Sequence, residues 1–152
     1  MSFSIEILSK TRNFFKQHLE TIPLEDLNKI PEGFNNNIIW NIGHIIVTQQ
    51  LLNYKLSGLP MLISEDLIKK YMKGTKPAVY ITKDEVEVLK GLLFSTIDQF
   101  REDYKKGIFK NFQEYTVSTT GNTLKSFNES LEFVVFHEGM HLGYVMALLR
   151  AI

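Results

Sequence analysis

Residues 126–150 read SFNESLEFVVFHEGMHLGYVMALLR. Ser126 with Glu129 three positions on is a capping box, the pattern that opens a helix by satisfying orphan backbone N–H groups. No proline interrupts the residues that follow, so one helix is expected from there to about Arg150. Val134, His137, His141, Val145 and Leu148 recur three or four apart and form a single stripe, which should face the interior. Within it, His137 to His141 spells His-Glu-x-x-His, the motif in which two imidazoles one turn apart aim at one ion. Cβ atoms four residues apart on a helix are roughly 5–6 Å from each other. That suits two nitrogens about 2.0–2.1 Å from a zinc-sized ion.

Three further helices are expected upstream. Helix one runs from about Phe3 to Ile22, with Leu8, Phe15, Leu19 and Ile22 on one stripe and Pro23 ending it. A polar stretch, LEDLNKIPEGFNNN, leads to helix two, from about Ile38 to Ser57, which stops at Gly58 and Pro60. Its stripe is Trp40, His44, Val47, Leu51 and Tyr54. SEDLIKKY reads as a short helix. A second capping box, Thr82 to Glu85, opens helix three, which turns Val86, Leu89, Leu93, Ile97, Phe100 and Tyr104 inward and ends at Gly107. Residues 111–125, β-branched around Thr120-Gly121-Asn122, read as a long loop or an irregular hairpin. The expected fold is all-α: a four-helix bundle with long connections after helices two and three, built as one domain over residues 1–152.

Composition narrows the function. Seventeen basic residues balance seventeen acidic ones, so no net field favours nucleic acid or an anionic membrane. The absence of cysteine excludes disulfides, thiolate metal sites and a protein thiol as nucleophile. MSFSIEILSK does not read as a signal peptide, and no apolar run approaches the ~20 residues of a membrane span. A cytoplasmic protein is the expectation.

The peptidase meaning of the motif fails on its third ligand. Such enzymes take it downstream, but only eleven residues follow His141, and Ala147 stands where the elongated motif wants histidine. A dinuclear carboxylate site would need a second Glu-x-x-His unit, and the chain has none. His44, on the inward stripe of helix two, can complete a three-histidine site that leaves positions open for water or substrate. The competing reading is two hydrogen-bonded core histidines. Spacing alone does not choose between them.

WNIGHIIVTQQLLNYKLSG on helix two and HEGMHLGYVMALLR on helix four together resemble the DinB/YfiT-like family of small metal-binding proteins. The tryptophan four residues before a histidine and the closing H-E-x-x-H-x-G carry the likeness, and length and motif order agree. The resemblance implies a four-helix bundle, often a homodimer, holding a divalent ion, commonly zinc or nickel. Carried over by position, its ligands are His44, His137 and His141. It also implies, for some relatives, transfer of a low-molecular-weight thiol, and for others hydrolysis.

The leading functional expectation is therefore a metal-dependent transferase that activates a small thiol cosubstrate for attack on a small-molecule electrophile. A metal-dependent hydrolase using metal-bound hydroxide is the first rival, and a non-enzymatic metal-binding protein the second. Glu138 and Tyr144 are the candidate catalytic side chains. Glu138 points about 100° away from His137 and is either an orienting carboxylate, a base, or a core carboxylate bonded elsewhere. Tyr144 either hydrogen-bonds substrate or packs. His18 is expected to be solvated and Trp40 to wall the pocket. Gly43, Gly139 and Gly143 surround the histidines, and a helix-interior glycine costs about 1 kcal/mol against alanine. Close helix approach or substrate access would account for them. The lysines of KKYMKGTK and YKKGIFK read as solvated surface, or as an attraction for a carboxylate-bearing substrate.

Overall fold

The computed structural model describes residues 2–152. Six α-helices and one short hairpin make up the described chain: α1 (Phe3–Thr21), α2 (Leu24–Asn28), α3 (Ile38–Gln49), α4 (Glu65–Tyr71), α5 (Lys83–Lys106), β1 (Tyr115–Thr116), β2 (Thr123–Leu124) and α6 (Phe127–Leu148). Between α3 and α4, residues Gln50–Lys55 continue the first of these as π-helical turns. The fold is mostly helical, as the periodicity predicts.

Local chemistry sets the boundaries. Ile22, held extended before Pro23, stops α1 at Thr21. The polar stretch beyond is not all loop, because Pro23 leads into the single turn of α2. Asn37, Ser64, Thr82 and Ser126 each accept a backbone N–H from three residues on, capping α3, α4, α5 and α6. Glu129 completes the last cap by accepting from the backbone of Lys125. Gly107 closes α5 in the left-handed conformation (φ 65°) that glycine adopts without strain.

The long helices contact one another in a ring. α1 packs on α5 and α6, and α3 packs on the same two. Every residue from Ile38 to Val47 is buried, so α3 is enclosed on all sides and is not the one-striped helix its sequence suggests. One core cluster surrounds it and includes Phe15, Trp40, Leu89, Leu93, Val145 and Leu148. A second, around Tyr54, Phe100, Phe127 and Leu131, takes in Val117 and Leu124 of the hairpin segment. The 111–125 segment is thus the irregular hairpin, with Tyr115 opposite Leu124 and Thr116 opposite Thr123.

Candidate metal centre

α3 contributes one imidazole and α6 two. The ring centroids of His44 and His137 lie 5.1 Å apart, those of His44 and His141 4.9 Å, and those of His137 and His141 4.5 Å. One nitrogen from each of the three lies within 4.8 Å of the other two. Some point is therefore no more than about 2.8 Å from all three, and an ion there at 2.0–2.1 Å asks each ring to move by less than about 1 Å. Convergent nitrogen donors alone are a set that suits a divalent transition-metal ion.

Two of the rings are oriented from behind. His44 Nδ1 donates to the carbonyl of Tyr71 at 2.7 Å, which leaves Nε2 as the lone-pair nitrogen. His141 Nδ1 donates to Asn41 Oδ1 at 2.7 Å. The Asn41 amide cannot turn, because its Nδ2 donates to Asn36 Oδ1 and to the carbonyl of Asn37. His137 is different: its Nδ1 is buried and has no partner. Such an atom is uncommon in a finished core; Ser57 Oγ and Arg101 Nε are the others among the described residues, and only His137 has two further imidazoles converging on it.

The three rings are electrostatically prepared as neutral bases. Burial, with His141 and His44 beside it, pushes His137 down to about 2. Burial and His44 push His141 down to about 3. Burial also lowers His44, against the hydrogen bond to Tyr71. Uncharged imidazoles offer the lone pairs that a metal requires.

The surroundings fix this arrangement. Trp40 stacks on His44, with centroids 4.6 Å apart and planes 11° from parallel, and donates from Nε1 to Thr75. The Tyr71 ring rests on Gly43, where a Cβ would come within 2.5 Å of it. Gly43 is thus the close approach that lets α4 deliver the Tyr71 carbonyl to His44. Thr48, one turn beyond His44, places its hydroxyl 3.3 Å from Nε2. His44 and His137 are buried, whereas His141 is partly exposed and gives the cluster an open side.

Glu138 lies elsewhere. Its Oε1 accepts from Arg12 Nη2 at 2.7 Å and from Nε at 3.2 Å, in a fully buried ion pair. Arg12 is completed by the Leu93 carbonyl and Thr96. Burial pushes the Glu138 carboxyl up from its usual range, opposed by Arg12. Tyr144 packs edge-on against Phe34. His18, outside the cluster, donates to the carbonyl of Phe14 within α1. A cleft of about 550 Å³ opens beside the site, lined by Trp40, Tyr71, Thr75 and the lysines 69, 70 and 76.

Sequence reading singled out the three histidines but not Asn41, the Tyr71 carbonyl, Thr48 or Arg12. Asn41 and Thr48 carried a usable signal, since they sit three before and four after His44 on the same helix face. Tyr71 and Arg12 carried none.

The model of one family, described as the DinB superfamily, matches residues 7–145. No curated protein matches the chain.

Proposed function

The chain belongs to the DinB superfamily, and from that premise we propose that it is a divalent-metal protein in which His44, His137 and His141 hold zinc or nickel. We take its four long helices as the bundle of that family. The observation that carries the reading is the convergence of three neutral imidazoles, two with their outer nitrogens already committed and one with none.

The proposed activity is transfer of a low-molecular-weight thiol to a small electrophile. When bound, the ion supplies the Lewis acidity that lowers the thiol's pKa toward neutrality. The chain's own residues bind and orient. Tyr71 and Asn41 fix two tautomers, so no proton has to move before the nitrogens can bind. Thr48 stands where its hydroxyl can donate to a substrate atom on the open side. With no cysteine in the chain, the thiol is a cosubstrate. The lysine-edged cleft beside Trp40 suits a thiol bearing a carboxylate. Glu138, committed to Arg12, serves to hold α6 in rotation, and Tyr144 packs against Phe34.

The test supplies metal-loaded protein with a small carboxylated thiol and a chromogenic aryl halide. Thiol-dependent turnover, lost in His137→Ala while the circular dichroism stays unchanged, is expected. Turnover without thiol would move the assignment to a hydrolase. Inertness under both conditions, with a metal-free form that melts far lower, would leave an ion of structural purpose only.

A further inference from the structure

The carbonyl behind His44 belongs to Tyr71, the last residue of α4, and is one of the orphan acceptors that a helix leaves at its C-terminus. A helix of seven residues does not keep such a group in place by its own hydrogen bonds, so tertiary contacts must do it. α4 packs on α3, where the Tyr71 ring lies over Gly43. Thr75 adds a tie beyond the helix end, accepting from Trp40 Nε1 at 3.0 Å and donating to the Met72 carbonyl at 2.8 Å. A further tie comes from α5. Glu85 Oε1 accepts from the Tyr71 hydroxyl at 2.8 Å, and the two Glu85 oxygens accept from Lys70 Nζ at 2.6 and 2.7 Å.

The capping box of Thr82 and Glu85 predicts a carboxylate turned back on its own helix. Glu129, at the equivalent place on α6, does turn back, to the backbone of Lys125. Glu85 instead reaches across to α4, while the Thr82 hydroxyl caps α5. The Glu85 carboxylate is thus committed to the residue whose carbonyl orients His44. Tyr71 is 1% exposed, so its hydroxyl needs an acceptor within the protein, and Glu85 provides it.

We propose that Glu85 is a positioning residue for the metal, an assignment that rests on the metal reading of the three histidines. None of its hydrogen bonds goes to a histidine. It holds Tyr71 and Lys70 against α5, and through them fixes the carbonyl that keeps the His44 proton on Nδ1 and the Nε2 lone pair free for the ion. The first turn of α5 thereby sets part of the affinity of a site built on α3 and α6.

Zinc or nickel affinity of the untagged full chain, read by competition with a chromogenic chelator, tests it, with the melting temperature of the metal-free protein measured alongside. Glu85→Ala and Tyr71→Phe should each weaken affinity about tenfold, the lower end of the loss expected when partners behind metal ligands are removed. The double variant should lose no more than Glu85→Ala alone, because both changes break one chain of contacts. Glu85→Gln keeps an oxygen that accepts from the Tyr71 hydroxyl and should hold affinity close to that of the wild type. Thr82→Ala removes the cap but not the tie, so it should lower the melting temperature and leave affinity unchanged. Affinity in Glu85→Ala equal to that of the wild type, an equal loss in Thr82→Ala, or a Glu85→Gln variant as weak as Glu85→Ala would each overturn the assignment. A wild type that takes up no metal would overturn the metal reading itself, and the assignment with it.

Discussion

Two groups of buried polar side chains lie along the contact of α3 and its π-helical continuation with α6, and they are finished differently. In the first, Gln50 donates to Gln49, Gln49 to Asn53, Asn53 to Ser130 and Ser130 to the carbonyl of Leu52, while the backbone of Leu62 donates to Gln50. The Arg12–Glu138 pair is closed in the same way. In the second group, three imidazoles converge, two of them oriented from behind and the third carrying a buried nitrogen with no partner. A closed network specifies how helices pack. An open one, buried at two of its rings and open to solvent at the third, could hold a metal ion.

The sharpest way to break this distinction is to remove one member of a closed network and one of the open cluster in metal-free protein. Arg12→Met strands the Glu138 carboxylate and should cost about 3–5 kcal/mol in urea denaturation. His137→Leu removes a ring that bonds to nothing and should cost under about 1 kcal/mol, or stabilise. Equal losses would erase the contrast. Next in size is the support behind the ligands. Asn41→Ala frees His141 to rotate and should weaken metal affinity by about 10–100-fold in a chelator competition. Unchanged affinity would mean that the Asn41 contact is incidental.

These contrasts also show what could be read in the chain beforehand. Helix ends were legible because their causes are local: Thr82 with Glu85, Ser126 with Glu129, and Gly107 all act within one turn. The pairing of His137 with His141 was legible because helical spacing alone makes them neighbours. The Arg12–Glu138 pair was not, since 126 residues separate its members and nothing in either neighbourhood marks a buried arginine. The Tyr71 carbonyl is a backbone group, and no side-chain pattern announces it. The π-helical turns from Gln50 to Lys55 keep the same residues in helical conformation while shifting their faces, so a strict 3.6-residue stripe misplaces Leu51, which is only half-buried. The five residues of α2 are too short for periodicity to reveal.

A further expected effect is electrostatic. His137 and His141 are held down to about 2 and 3 in the folded chain, and His44 is also lowered. Unfolded, all three return to about 6.5. As pH falls below that value the unfolded chain takes up protons that the folded chain refuses. The stability that neutral rings provide is thus complete above about pH 6.5 and declines toward the folded values. The metal-free protein should melt lower at pH 5 than at pH 7, and His137→Leu with His141→Leu should flatten the profile. A wild-type melting temperature constant across that interval would contradict the assigned shifts.

The central claim is that the three histidines form one metal site, and metal content tests it most directly. Untagged wild-type protein and a His44→Ala variant would be loaded with zinc or nickel, dialysed against metal-free buffer and submitted to elemental analysis. The account predicts about one ion per wild-type chain and almost none in the variant. A wild type that retains no metal, or a His44→Ala chain that retains as much as the wild type, would contradict it.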